Sequence, residues 1–321
     1  MQKGTVISSC WLTIFVACLL LSALLNFGHC ANSQASPLIL LLDTHESAQR
    51  TQVREAFKER MQHFLPQAEF IYYLAESAAK VNTSQLVSQK TKSPPDIIIA
   101  LGSSANEIAQ TVFPDIPVLS TLIMSRNTLL HKEKNAAILL QFPPEVQLQW
   151  LQNILPRTKR VGILYDPVRS SILIREVKEA ARKKNIETVL FEVNSPKQLQ
   201  AGLKYISRNA DVLLAIPDPT VYSGKTAKEV LLFSYRNRIP FVGLSSTWVK
   251  AGALYAIEVD YRDLGRQAAE LANKILKGGS PGKTRVFNPE KVAYSLNLRT
   301  KDHLRLDIAK DIIKGSSIVF D

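Results

Sequence analysis

Cysteine is scarce in this chain. Its 321 residues hold three, Cys10, Cys18 and Cys30, all within the first thirty. If that stretch is removed, no thiol remains, which excludes a disulfide framework, a thiolate metal site and a cysteine nucleophile. Enzymatic signatures are missing too: no H-E-x-x-H, no G-x-S-x-G, and no His/Asp/Glu cluster at metal-ligand spacing. Beyond the N-terminal stretch the histidines are His45, His63, His131 and His303. Only His45 falls at an expected strand end, where it reads as a polar turn residue. No enzyme, metal or cofactor is therefore expected. Long basic runs are also lacking. The net charge is +12, from 40 Lys+Arg against 28 Asp+Glu, yet the longest basic run is Arg182-Lys183-Lys184, beside Glu179 and Glu187. Such dispersal describes a solvated surface, not the concentrated basic face that nucleic acid requires. Internal repeats and low-complexity tracts are absent, and glycine and proline are scattered, so no long linker is expected.

What is present begins at the N-terminus. Lys3 and the free amine precede a nearly unbroken apolar stretch, Trp11 to Phe27, followed by small residues. That is the order of a secretory signal peptide, expected over residues 1–35, with cleavage after Cys30 or after Ala35. The product would be periplasmic or otherwise extracytoplasmic. An uncleaved anchor is the alternative, because the apolar stretch is at the lower edge of what spans a bilayer. Lipid on Cys30 is disfavoured by His29 directly before it.

Beyond residue 35, short apolar runs alternate with helical periods. LILLL (Leu38 to Leu42), DIIIAL (Asp96 to Leu101), IPVLST (Ile116 to Thr121), RVGILY (Arg160 to Tyr165), DVLLAI (Asp211 to Ile216) and PFVGL (Pro240 to Leu244) are continuously hydrophobic. Strands of parallel sheets buried on both faces look like this. Helical stripes lie between them, such as Val53, Phe57, Met61 and Phe64. Another helix runs from Val146 to Leu155, and a third has Ser171 near its start. The fold class predicted is α/β, with two doubly wound parallel-sheet lobes and a cleft between them. AAILLQFPPE (Ala136 to Glu145) and ALYAIEVD (Ala253 to Asp260) are the expected crossings between lobes. A closing helix capped by Asp260 follows, and a third crossing is expected near Gly282. The N-terminal lobe is then 36–141 plus 258–283, and the C-terminal lobe 142–257 plus 284–321.

Ligands of open α/β sheets bind outside the carboxyl ends of the strands. That rule selects six loops. Asp43-Thr44-His45, Gly102-Ser103-Ser104 and Thr121 to Ser125 belong to the first lobe. Tyr165-Asp166-Pro167, Pro217-Asp218-Pro219-Thr220 and Ser245-Ser246-Thr247 belong to the second. Each doubles as a turn with an N-cap residue, so ligand contact is expected of the set rather than of every member. GSSANEIAQ (Gly102 to Gln110) is the best single loop, because a helix start presents backbone N–H groups to an anion. It lacks the G-x-G-x-x-G spacing and P-loop lysine of nucleotide sites. Trp248, Tyr222 and Tyr255 are expected to pack as core or rim.

The strings LQNILPRTKRVGILYDP (Leu151 to Pro167), IPDPTV (Ile216 to Val221) and VKAGALYAIEVDYRDLGRQAAELANKILKGGSP (Val249 to Pro281) resemble the ABC transporter substrate-binding family that includes tryptophan- and tyrosine-type solute receptors. The resemblance covers most of the chain and is looser over residues 38–141. It implies the type I periplasmic-binding-protein fold and capture of an amino acid or similar solute between lobes. The implied membrane partner is an ABC permease, with the receptor a monomer; a sensor subunit reporting to a membrane receptor, or a receptor for a non-amino-acid hydrophobic solute, is the alternative. LacI-type repressors share the fold, but no helix-turn-helix precedes this chain. Carried over, Ser103, Ser104, Tyr165, Asp166, Asp218, Thr220, Ser245 and Ser246 fall at ligand-facing positions. Two loops depart from the pattern. LIMSRNT, with Arg126, replaces an Asp-Pro turn after Thr121, and GLSSTW lacks the family's usual acidic residues.

Overall fold

The computed structural model describes residues 36–76, 93–124, 135–279 and 286–321. The expected signal segment, Arg126, His131 and the crossing near Gly282 lie outside them. Five strands open the chain: β1 (Leu38–Asp43), β2 (Glu69–Leu74), β3 (Ile97–Leu101), β4 (Val118–Ile123) and β5 (Ala136–Leu139). Helix α1 (Ala48–Phe64) follows β1, and α2 (Ser103–Val112) follows β3. Every residue of β1, β3, β4 and β5 is buried, so these strands must have cover on both faces.

The pleat supplies two cores from one strand, because successive side chains alternate faces. Ile39 and Leu41 of β1 pack with Val53, Phe57 and Met61 of α1. Leu40 and Leu42 point the other way and pack with Ala105, Ile108 and Ala109 of α2.

The second series comprises α3 (Pro144–Ile154), β6 (Arg160–Tyr165), α4 (Pro167–Lys183), β7 (Glu187–Glu192), α5 (Leu199–Asn209) and β8 (Val212–Leu214). Then come α6 (Ala227–Arg236), β9 (Phe241–Val242), α7 (Ser246–Lys250) and β10 (Tyr255–Val259). Helix α8 (Tyr261–Leu276), β11 (Val286–Phe287), β12 (Val292–Asn297), α9 (Leu298–His303), α10 (Lys310–Lys314) and β13 (Ile318–Phe320) complete the order.

The first sheet runs β11-β5-β4-β3-β1-β2 and the second β13-β12-β10-β9-β8-β6-β7. All pairings in the first are parallel. In the second, only β10 with β12 is antiparallel. Both sheets lie within one compact unit, Leu38–Asp321.

Between β5 and α3 the chain changes sheets. Phe142 packs in the first-lobe core while Leu148 and Leu151 of α3 pack in the second. It changes back after β10, where Val259 and Leu264 join the first-lobe core. There α8 lies against α1 through Gly265; a Cβ at that position would sit 2.3 Å from the Val53 carbonyl oxygen. Asp260 caps α8, its Oδ1 accepting the Asp263 N–H at 3.1 Å. Val286 and Phe287 still pair with β5, and Val292 is the next residue in the second sheet.

The structure differs from the sequence expectations at several elements. β2 and β7 were not among the apolar runs, because each is an edge strand with most residues only half-buried. Helix α4 starts at Pro167, not near Ser171: Asp166 caps it through the Val168 N–H, and proline suits a first helical position. Ser246–Lys250 is a short helix where an extended hydroxyl loop was expected.

Candidate functional site

Where the first two crossings meet the carboxyl ends of β8 and β9 there is a cavity of about 250 Å³. That lies just under the roughly 300–1,000 Å³ of drug-sized pockets, so it suits a small metabolite. Met124 from the end of β4 and Leu140, Gln141 and Phe142 from the first crossing form one wall, with Gln147 of α3. Leu214, Ala215 and Pro217 after β8, and Val242 to Ser245 after β9, form the opposite wall. Tyr255, Ile257, Glu258, Val259 and Tyr261 of the second crossing make the floor. Residues of both lobes and both crossings therefore contribute.

The lining is mainly aliphatic and aromatic, with few polar groups. Among the described residues lining it, Glu258 is the single charged one, and its Oε1 accepts a hydrogen bond from the Ser246 hydroxyl at 3.0 Å. Burial raises the Tyr261 phenol above its ordinary pKa, and the adjacent Glu258 charge adds to this. Burial also drives the Tyr255 phenol far up, and its hydroxyl has no hydrogen-bond partner among the described residues. Gln147 is oriented by donating from Nε2 to the Phe142 carbonyl at 3.3 Å. Behind this wall, Tyr222 stacks on Phe241 with centroids 6.1 Å apart, and Trp248 meets both rings edge-on. Tyr222, Tyr255 and Trp248 thus pack as core or against it.

The residues singled out in the sequence separate into three groups. Ser245 lines the cavity and Ser246 touches it through Glu258. Asp166, Asp218 and Thr220 come together in one buried network. Asp218 accepts from the Asp166 N–H and the Ser170 hydroxyl at 2.7 Å each, and from the Thr220 N–H at 3.0 Å. Thr220 in turn donates its hydroxyl to Asp166 Oδ2 at 2.8 Å. Tyr165 turns toward β7 and donates to Glu192 at 3.0 Å.

The third group sits at the carboxyl ends of β1, β3 and β4, and none of its members is among the lining residues. Asp43 is fully buried; it accepts the Thr44 N–H at 2.7 Å and pairs with Arg50. Arg50 also donates to the Leu101 carbonyl. Its guanidinium lies over Gly102, which has φ 97° and where a Cβ would come within 2.6 Å of Nη2. Ser103 and Ser104 open α2 without making a side-chain cap. The Thr121 hydroxyl is buried and has no hydrogen-bond partner among the described residues, beside a strand irregularity where Leu122 takes φ 59°.

The profile of the ABC transporter substrate binding protein family matches residues 48–319. The chain belongs to that family. Its two mostly parallel α/β lobes have the type I periplasmic-binding-protein fold. A tyrosine-binding protein from Clostridioides difficile (strain R20291) is 24% identical over 242 residues, covering 72% of this chain and 70% of that one. Among solved structures, a ligand-free, open substrate-binding protein with adhesive properties from Clostridium difficile superposes with TM-score 0.71. It is 20% identical and covers 88% of this chain and 99% of the other. A domain from Streptococcus pneumonia in complex with L-Trp gives TM-score 0.55 at 18% identity, covering 89% and 100%.

Of the other polar residues lining the cavity of this substrate-binding protein, Gln141 and Glu258 lie on the crossings and Gln147 and Tyr261 at the starts of α3 and α8. Glu258, Gln141, Gln147 and Tyr261 were not singled out. One signal was available for Glu258: it is the single charged residue inside the otherwise apolar strand YAIEV. Among the described residues no group of three or more His, Cys, Asp or Glu could hold a metal ion, and no helix is long and apolar enough to cross a membrane.

Proposed function

We propose that this substrate-binding protein is the exported receptor of an ABC-type uptake system and captures a small solute with an apolar body, of the aromatic amino-acid class. The cavity at the lobe crossings carries this reading. It is small, mainly apolar and furnished with a few convergent polar groups, which is the usual make-up of a metabolite site. The tyrosine-binding relative and the L-Trp complex of a similar fold agree with that class.

The mechanism follows from where the cavity sits. Its walls come from both lobes and its floor from a crossing, so a solute filling it touches every part that must move for the lobes to separate. Binding energy available only when both walls are in contact shifts an open–closed equilibrium toward closure. The closed form is the one a membrane permease would read. The receptor acts as a monomer, exports no chemistry of its own, and makes or breaks no bond.

Isothermal titration of the protein without residues 1–35 tests this, using L-tyrosine, L-tryptophan, aliphatic amino acids, nucleosides and sugars. Saturable one-to-one binding of an aromatic amino acid is expected. Binding confined to sugars or nucleosides would overturn the ligand class.

A further inference from the structure

We infer that Glu258 is the anchor for a positively charged ammonium group on the solute; this rests on the cavity being the solute site. Glu258 is half-buried in the floor of the cavity. Its recorded polar contact is the Ser246 hydroxyl at 3.0 Å, and it forms no ion pair among the described residues. Among the described residues, no lysine, arginine or histidine lines the cavity. Three other carboxylates with restricted exposure have a cation beside them. Asp43 has Arg50, Asp211 has Arg160 and Asp260 has Lys291.

A half-buried carboxylate in a cavity also lined by Leu140, Val242, Leu244 and Ile257 has lost part of its water without gaining a counter-ion from the described residues. In such a low-dielectric setting an incoming cation gains more than it would at an open surface. The Ser246 hydroxyl engages Oε1, and among the described residues no donor reaches Glu258 Oε2. Tyr261 is close enough for the carboxylate charge to raise its phenol, after the larger effect of burial, so it stays a neutral ring beside the same spot. An aromatic face next to a carboxylate is a favourable seat for an ammonium group. The loop after β9, GLSSTW, has no acidic residue of its own. Glu258 reaches that loop from the neighbouring strand and supplies the negative charge it lacks.

The decisive experiment compares probes with and without the amine. L-tryptophan, L-tyrosine, tryptamine and tyramine are titrated beside indole-3-propionate and 3-(4-hydroxyphenyl)propionate, into the native protein and Glu258→Gln. The two propionates differ from L-tryptophan and L-tyrosine only in the amine, and tryptamine and tyramine keep the amine but lack the carboxylate. The substitution keeps an oxygen for the Ser246 hydroxyl, so the fold is preserved, as circular dichroism would confirm. Amine-bearing probes are expected to bind the native protein roughly ten- to a hundredfold more tightly than their amine-free partners. In Glu258→Gln that preference should vanish while amine-free binding stays unchanged. Equal binding of amine-bearing probes by native protein and variant would overturn the anchor but leave the cavity reading intact. Binding of the amine-free probes alone would do the same. No binding by any probe would remove the cavity reading and the anchor with it.

Discussion

The Ser246 hydroxyl donates to Glu258 Oε1 at 3.0 Å, tying the start of a five-residue helix after β9 to the strand that carries the chain back to the first lobe. The bond joins a cavity wall to its floor. Ser246→Ala should loosen the carboxylate without exposing core. A fewfold weaker solute binding is expected, with a stability loss of no more than about 1 kcal/mol. Titration calorimetry and thermal melting separate the two effects.

Asp218 receives four hydrogen bonds, from the Asp166, Thr220 and Val221 N–H groups and the Ser170 hydroxyl. Asp218→Ala would strand all four donors where water does not reach, at a cost of about 3 kcal/mol or more. A large fall in the urea midpoint is the expected reading. Ser170→Ala, which removes only one donor, should cost about 1 kcal/mol.

Helices α1 and α8 touch backbone to side chain at Gly265. Adding a methyl group there places it 2.3 Å from the Val53 carbonyl oxygen and 2.9 Å from the Ala56 Cβ. Gly265→Ala should therefore destabilise by about 1–3 kcal/mol despite alanine's better helix propensity. A matched exchange at an exposed helix position would be neutral or stabilising, so the sign of the denaturation shift decides the matter.

Acid should weaken the fold through two carboxylates. Burial acts to raise Asp211, but the Lys159 and Arg160 N–H groups and the Arg160 guanidinium outweigh it and leave the pKa lowered. Burial likewise acts to raise Asp260, and the Lys291 ammonium, the Asp263 N–H and Arg266 reverse it. Folded values below unfolded ones mean that the stabilisation is complete above the unfolded value, about 3.9. It is lost as the pH falls through the folded value. Melting temperatures should fall steeply below about pH 4, and more shallowly in Asp211→Asn with Asp260→Asn. An unchanged slope in the double variant would show that other groups dominate.

Much of this molecule was legible in one dimension. Runs such as IIIAL and LILLL are apolar at every position, and only a parallel strand covered on both faces buries all of them. The double proline after Gln141 and the Asp260 cap marked where the chain leaves one sheet for the other, because proline and capping chemistry act locally. Edge strands β2 and β7 escaped notice because half-exposed positions accept polar residues and blur the pattern.

The site was less legible. The rule of strand carboxyl ends led to Asp43, Asp166 and Asp218, and those acids are occupied by neighbours in the fold. Sequence alone therefore determined two doubly wound lobes, since burial pattern and backbone chemistry are local properties. Only tertiary structure decided which carboxylate faces the cavity. Whether Glu258 meets a lysine or an open cavity depends on contacts between segments far apart in the chain, and no local pattern records them.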